Sequence, residues 1–140
     1  MKYLDTNIII YSIENHPRYG KKCKEILQNV EDNKLEVCAS ILVLVEVINV
    51  LNKINRILEK EGNKMLNIED NINAILSLPI LWYDLSFPII KHSSRYKFKV
   101  SGVDYIHIAT MEMNSVFELL SADEELDKVP FLKRIDPLDF

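Results

Sequence analysis

Short apolar blocks alternate along the chain with longer stretches that are apolar on one helical face only. Tyr3 and Leu4 form the first block, a brief strand, and Ile8 to Glu14 a short buried helix behind it. Pro17 is suited to open a second helix, amphipathic and lysine-rich (Lys21, Lys22, Lys24), running to about Asn33. Leu35 to Ala39 reads as a buried strand. Ser40 is a good N-cap for a long helix from Ile41 to about Lys53. Ile54 to Ser77 is more polar and is predicted helical in two pieces, with Gly62 and Asn63 as the break.

The second half repeats the alternation. Pro79 precedes a strand over Ile80 to Tyr83, and Ser86 and Pro88 mark a helix through His92 to about Phe98. Ser101-Gly102 begins a helix to about Met113, and Val116 to Leu120 is a further strand. A short helical turn follows Asp123, and Leu132 to Ile135 supplies an edge strand. Strands alternating with helices predict an α/β fold with a parallel sheet. No repeat, linker or low-complexity segment interrupts it.

With 140 residues, the chain is expected to form a single domain over 1–140 that buries a proper core. Its hydrophobic share of 48% and charged share of 27% are those of an ordinary globular protein. No apolar run approaches a membrane span and the acidic start does not suit a signal peptide, so no membrane partner and a cytoplasmic location are expected. Cys23 and Cys38 lack a CxxC spacing, which predicts two reduced, structural thiols. The net charge of −4 argues against bulk electrostatic binding of nucleic acid, unless acids that hold a cation account for part of it.

Four acids occupy unusual places. Asp5 ends the first strand, where ligands bind in open parallel sheets, although Asp5, Thr6 and Asn7 also make good helix caps. Glu46 is the only charge in the apolar run Ile41 to Ile48, yet Glu46, Asn49 and Lys53 share a solvated spacing. Asp104 follows Ser101 as in a capping box, with Gly102 leaving room beside it. Asp123 follows a strand as Asp5 does, so both face the same edge of the sheet. Two carboxylates about 4 Å apart repel by roughly 4 kcal/mol at an effective dielectric of about 20. Four together must protonate, shift their pKa values or hold a cation, and a hard divalent ion such as Mg2+ suits oxygen ligands. Zinc fits poorly, because His16, His92 and His107 are scattered and no cysteine is spaced as in a finger. His107, one turn from Asp104, reads as packing or a contact behind the ligands.

With these residues in place, the chain resembles a PIN domain, and among PIN domains a VapC-type toxin. The resemblance rests on Tyr3-Leu4-Asp5-Thr6-Asn7, on Ser40 through Glu46, on Gly102-Val103-Asp104-Tyr105-Ile106-His107-Ile108-Ala109, and on Ser121-Ala122-Asp123. It covers essentially the full length. It implies a three-layer α/β/α sandwich and a ribonuclease dependent on Mg2+ or Mn2+ that leaves a 5′-phosphate and a 3′-hydroxyl. Asp5, Glu46, Asp104 and Asp123 correspond to its acidic site, and Thr6, Asn7 and Ser121 to groups that orient the acids. A small antitoxin and a homodimer are implied as partners, with Ile54 to Ser77 the expected contact region. Leu126 departs from the aromatic that many relatives carry, and Asp127 is expected to be solvated.

Lys91, Arg95, Lys97 and Lys99, interleaved with Tyr96 and Phe98, are candidate contacts for phosphates and unpaired bases, although a run of this kind is more often only a solvated helix end. A phosphatase of the haloacid dehalogenase type would need a second acid two residues after Asp5. Asn7 stands there and cannot act as a general acid. A stand-alone RNA-processing PIN nuclease and a non-catalytic relative that binds RNA or protein are the remaining alternatives. The latter would have lost acids, and all four are present.

Overall fold

The computed structural model describes residues Met1 to Phe140. Five strands, β1 (Lys2–Leu4), β2 (Val37–Ser40), β3 (Leu81–Tyr83), β4 (Glu118–Leu120) and β5 (Lys133–Ile135), form one sheet in the order β3-β2-β1-β4-β5. Every neighbouring pair is parallel, with Tyr3 opposite Cys38 on one side and Leu119 on the other. The six helices are α1 (Thr6–Ile13), α2 (Gly20–Glu31), α3 (Leu42–Lys60), α4 (Ile68–Leu76), α5 (Phe87–Ser93) and α6 (Gly102–Met113).

Strand side chains alternate between the faces of a sheet, and that alternation divides the core. Leu4, Val37, Ala39 and Leu120 face a cluster filled by Ile8 and Ile9 of α1, Ile26 of α2, Val43, Val47 and Leu51 of α3, and Ile75 of α4. Tyr3, Cys38 and Leu119 face the opposite way, against Ile108 and Met111 of α6. The central strands are therefore apolar on both sides, as parallel strands covered by helices must be. The predicted α/β/α sandwich is the observed architecture. No helix is long and apolar enough to cross a membrane.

Several element ends differ from expectation, each for a local reason. α2 begins at Gly20 and not at Pro17, because His16 Nδ1 accepts the N–H groups of Arg18 (3.1 Å) and Tyr19 (3.2 Å) and holds this stretch as a turn. Glycine is needed there: a Cβ on residue 20 would lie 2.9 Å from the Asn15 carbonyl carbon and 3.1 Å from the Tyr11 oxygen. α3 continues past Lys53 to Lys60, since no helix breaker intervenes before Gly62, whose φ of 70° turns the chain. α5 ends at Ser93 and not near Phe98. The hydroxyls of Ser93 and Ser94 donate to the carbonyls of Ile90 and Lys91 (2.6 Å each), and such local bonds compete with helix continuation.

Candidate active site

Strand ends and helix starts bring the acids together. β1 ends at Leu4 and delivers Asp5, which also caps α1. The neighbouring β4 ends at Leu120 and delivers Ser121 to Asp123 at the same rim. Glu46 comes from the first turns of α3, and Asp104 from the first turn of α6, where Ser101 donates to its Oδ2 at 3.0 Å. Asp5, Glu46, Asp104 and Asp123 line one cavity of about 290 Å³, together with Thr6, Asn7 and Tyr11. Oxygens of Asp104, Asp123 and Glu125 lie within 4.8 Å of one another. A larger cavity of about 430 Å³ lies between α1, α2 and α4, but its only acid is Glu31. The site chemistry belongs to the smaller one.

Polar groups hold the acids in place. Asp5 Oδ1 accepts the Thr6 N–H at 2.7 Å, and its Oδ2 accepts from the Ser121 hydroxyl at 2.5 Å and Asn7 Nδ2 at 3.2 Å. Asn7 also donates to Ser121 Oγ (3.1 Å) and accepts the Ala122 N–H (3.2 Å), so α1 and the turn after β4 are tied across the sheet rim. Ser121 Oγ accepts the Asp123 N–H at 3.0 Å. The Thr6 hydroxyl donates to Glu46 Oε1 at 3.1 Å. Glu46, although spaced with Asn49 and Lys53, departs from that solvated stripe: its neighbours there are exposed, while it turns to the site and pairs with His107.

The electrostatics are those of clustered, half-buried acids beside one buried histidine. Burial pushes the Asp5 carboxyl above its ordinary range, opposed by His107 and by the hydrogen bonds from Ser121 and Thr6. Burial likewise raises Asp104, Ser101 opposes it, and the charge of Asp123 adds to the rise. Burial works against a charged His107, but its bond to Glu46 and the charges of Asp5, Glu46 and Asp104 outweigh that and raise its pKa. No lysine or arginine pairs with Asp5, Asp104 or Asp123. Several oxygens converge without a lysine or arginine, and the donors are all hard. That set fits a divalent ion of the Mg2+ type.

Other expected residues lie elsewhere. Lys91, Arg95, Lys97 and Lys99 are exposed on α5 and the segment after it, and none lines the acid cavity. The rings between them do not offer a stacking surface as expected. Tyr96 and Phe98 pack inward, 5.3 Å apart between centroids, against Phe131. Asp127 is exposed and outside the acid cavity, as expected, and Arg134 donates to both its oxygens, at 2.9 and 3.1 Å. Leu126 is buried in the core under α6, which accommodates an aliphatic side chain there.

Sequence reasoning missed two residues. Glu125 joins the cluster because its N–H bonds Asp123 Oδ1 at 3.0 Å, folding the acidic run back on itself. Tyr11 reaches the cavity from α1 and stacks on Tyr19 with centroids 5.3 Å apart. Its spacing of one helical turn from Asn7 is the signal that places both on one face.

A family model for the PIN domain matches residues 2–132. No curated protein sequence matches the chain. Among solved structures it is similar to VapC20 of Mycobacterium tuberculosis, a sarcin-ricin loop cleaving toxin, with TM-score 0.73 and 16% identity over 94% of this chain and 97% of that one. VapBC2 of Rickettsia felis, bound to a promoter DNA fragment, matches with TM-score 0.69 and 19% identity over 97% of this chain and 98% of that one. A toxin-antitoxin complex from Klebsiella pneumoniae matches with TM-score 0.66 and 19% identity over the whole of both chains (100% each). At such identities these structures bear on the fold alone, whereas the family model spans nearly all of the sequence. The chain belongs to the PIN domain family.

Proposed function

We propose that the protein is a metal-dependent ribonuclease, the toxin of a toxin-antitoxin pair. The observation that carries this reading is the meeting of Asp5, Glu46, Asp104 and Asp123 in one cavity where no lysine or arginine pairs with Asp5, Asp104 or Asp123. A bound Mg2+ or Mn2+ supplies Lewis-acid polarisation of a phosphate oxygen and lowers the pKa of water. Asp5, Asp104 and Asp123 would hold the ion, and Glu46 would complete its shell or orient the attacking water. Asn7 and Ser121 fix Asp5, and Thr6 fixes one oxygen of Glu46. The products carry a 5′-phosphate and a 3′-hydroxyl. The site acts in the cytoplasm on RNA.

The experiment is cleavage of labelled RNA by the purified protein with Mg2+, with Mn2+ and with EDTA. Cleavage confined to the metal-containing reactions is expected. No cleavage with either ion, or undiminished cleavage in EDTA, overturns the reading.

An antitoxin partner is supported by the toxin-antitoxin complexes among the similar structures. It is also supported by the exposed apolar residues Val45 and Ile48, which flank Glu46 on α3. Ile57, Met65 and Leu76 are exposed within 54–77, the region expected to meet partners or a second copy of the chain. A short DNA-binding protein encoded beside this one would be the corresponding genomic sign.

RNA also meets the exposed Lys91, Arg95, Lys97 and Lys99, which supply phosphate contacts without base stacking. Each phosphate neutralised on a single strand contributes about −0.7 to the slope of log K against log salt. A Lys97→Ala, Lys99→Ala double variant is therefore expected to flatten that slope by about 1.4 in a fluorescence anisotropy titration with EDTA present. An unchanged slope removes these residues from the RNA path.

A further inference from the structure

Glu46 is held from two sides by the same oxygen. The Thr6 hydroxyl and His107 Nε2 both donate to Oε1, while Oε2 has no hydrogen-bond partner, and the residue lines the acid cavity. His107 is itself buried, on α6 one turn beyond Asp104, and its other nitrogen meets the Tyr3 hydroxyl at 2.5 Å. That hydroxyl accepts the backbone N–H of Ser40 at 3.0 Å. Ser40 is the last residue of β2, just ahead of the helix that carries Glu46.

Hydrogen counting places a donor opposite Glu46. A carboxylate oxygen can only accept, so His107 presents a hydrogen on Nε2 to Glu46 Oε1, while the Tyr3 hydroxyl, which accepts the Ser40 N–H, donates to a bare Nδ1 or accepts from a protonated one. A neutral ring then carries its hydrogen on Nε2, and a charged ring has one there as well. In both states the group facing Glu46 Oε1 is a donor. The buried ring is also packed by the edge of Tyr3, with centroids 5.7 Å apart at an interplanar angle of 69°.

We propose that His107, fixed by the Tyr3 hydroxyl and the Ser40 amide, is the positioning residue that occupies Oε1 of Glu46 and leaves Oε2 for the ion or the attacking water. The proposal rests on the nuclease reading for its chemistry, but the clamp itself is a property of the chain. Neither its burial nor its spacing makes His107 a ligand; it acts through Glu46. The same device links the first strand, the long helix and the helix of Asp104, so the acids share one rigid frame.

Two polar replacements separate positioning from packing. In His107→Gln the side-chain amide extends to the place of Nε2 and can still donate to Glu46. In His107→Asn it reaches only the place of Nδ1. Removing a group that orients a metal ligand costs about 10- to 100-fold in affinity or activity. His107→Asn is therefore expected to lower kcat for RNA cleavage about 10- to 100-fold with KM nearly unchanged, and to weaken Mn2+ binding measured calorimetrically without RNA by a similar factor. His107→Gln recovers most of both. Tyr3→Phe, which frees the ring while keeping its bulk, shows the same loss in part and stands in if His107→Asn fails to fold, which thermal melts report. Equal defects in the Gln and Asn variants, or no defect in a folded Asn variant, overturn the proposal. If the parent binds Mn2+ yet cleaves no RNA, the nuclease reading falls and the calorimetric contrast alone decides the clamp. If the parent binds no Mn2+, both fall.

Discussion

On the proposed ribonuclease reading, Asp5→Asn protein is expected to fold but to cleave RNA at least about 10³-fold more slowly than the parent. Losing a central ligand removes several kcal/mol of charge stabilisation in the transition state, and each 1.36 kcal/mol or so is about tenfold in rate. The substitution keeps the shape of the side chain, and its carbonyl still accepts the Thr6 N–H. The amide nitrogen then faces the donors Ser121 and Asn7, a local cost of about 1–3 kcal/mol. Relief of a buried, ionised carboxyl whose pKa is already raised offsets much of that cost. Circular dichroism and a thermal melt establish the fold, and cleavage of labelled RNA gives the rate. A folded Asp5→Asn protein within tenfold of the parent would remove Asp5 from the mechanism.

Asp104→Asn is expected to stabilise the metal-free protein while abolishing the stabilisation that Mg2+ confers. Asp5 and Asp104 both have raised pKa values in the folded chain. The native state therefore binds more protons than the unfolded state between the ordinary carboxylate range and the raised values. Stability is fully present below that window and is lost as pH rises through it. At neutral pH the charged cluster opposes folding. Removing the Asp104 charge, which lies within 4.8 Å of oxygens on Asp123 and Glu125, relieves it. A melting temperature several degrees above the parent in EDTA is expected, since each kcal/mol is worth roughly 4 °C in a chain of this size. For the parent, Mg2+ at about 100 times its dissociation constant adds about 2.7 kcal/mol, with a larger gain at pH 8 than at pH 5. The variant gains little at either pH. Calorimetric melts across pH check both statements, and a variant less stable than the parent in EDTA would show that Asp104 is held by contacts that outweigh its repulsion.

The order of strands and helices was readable because the apolar periodicity changes sharply between Leu4 and Ile8, between Ala39 and Ile41, and between Leu120 and Glu124. Element ends were less readable, since they depend on contacts the local sequence does not announce. The His16 ring that accepts two amides ahead of α2 is one, and the serine hydroxyls that close α5 are another. Asp5 and Asp123 could be named from their strand-end positions, Glu46 from its isolation in an apolar run and Asp104 from its place at a helix start. Their wiring could not: Asn7 to Ala122 and Ser121 to Asp5 cross more than a hundred residues, and only the register of β1 against β4 sets them side by side. Tyr96 and Phe98 failed in the opposite sense. Interleaved with basic residues they resemble a stacking surface, but hydrophobic burial against Phe131 takes them first.

β1 lies in the middle of the sheet, between β2 and β4, although it is the first strand in the chain. A growing polypeptide thus emits the residue that anchors the acid cavity long before the strand that must lie beside it. Until residues 118–120 leave the ribosome, Asp5 has neither Ser121 nor Asp123 as a neighbour. Such distant pairings also make folding slow relative to local helix formation. Any chain stalled or cut before that point carries an incomplete set of carboxylates, so the cavity is assembled only after β4 has been made.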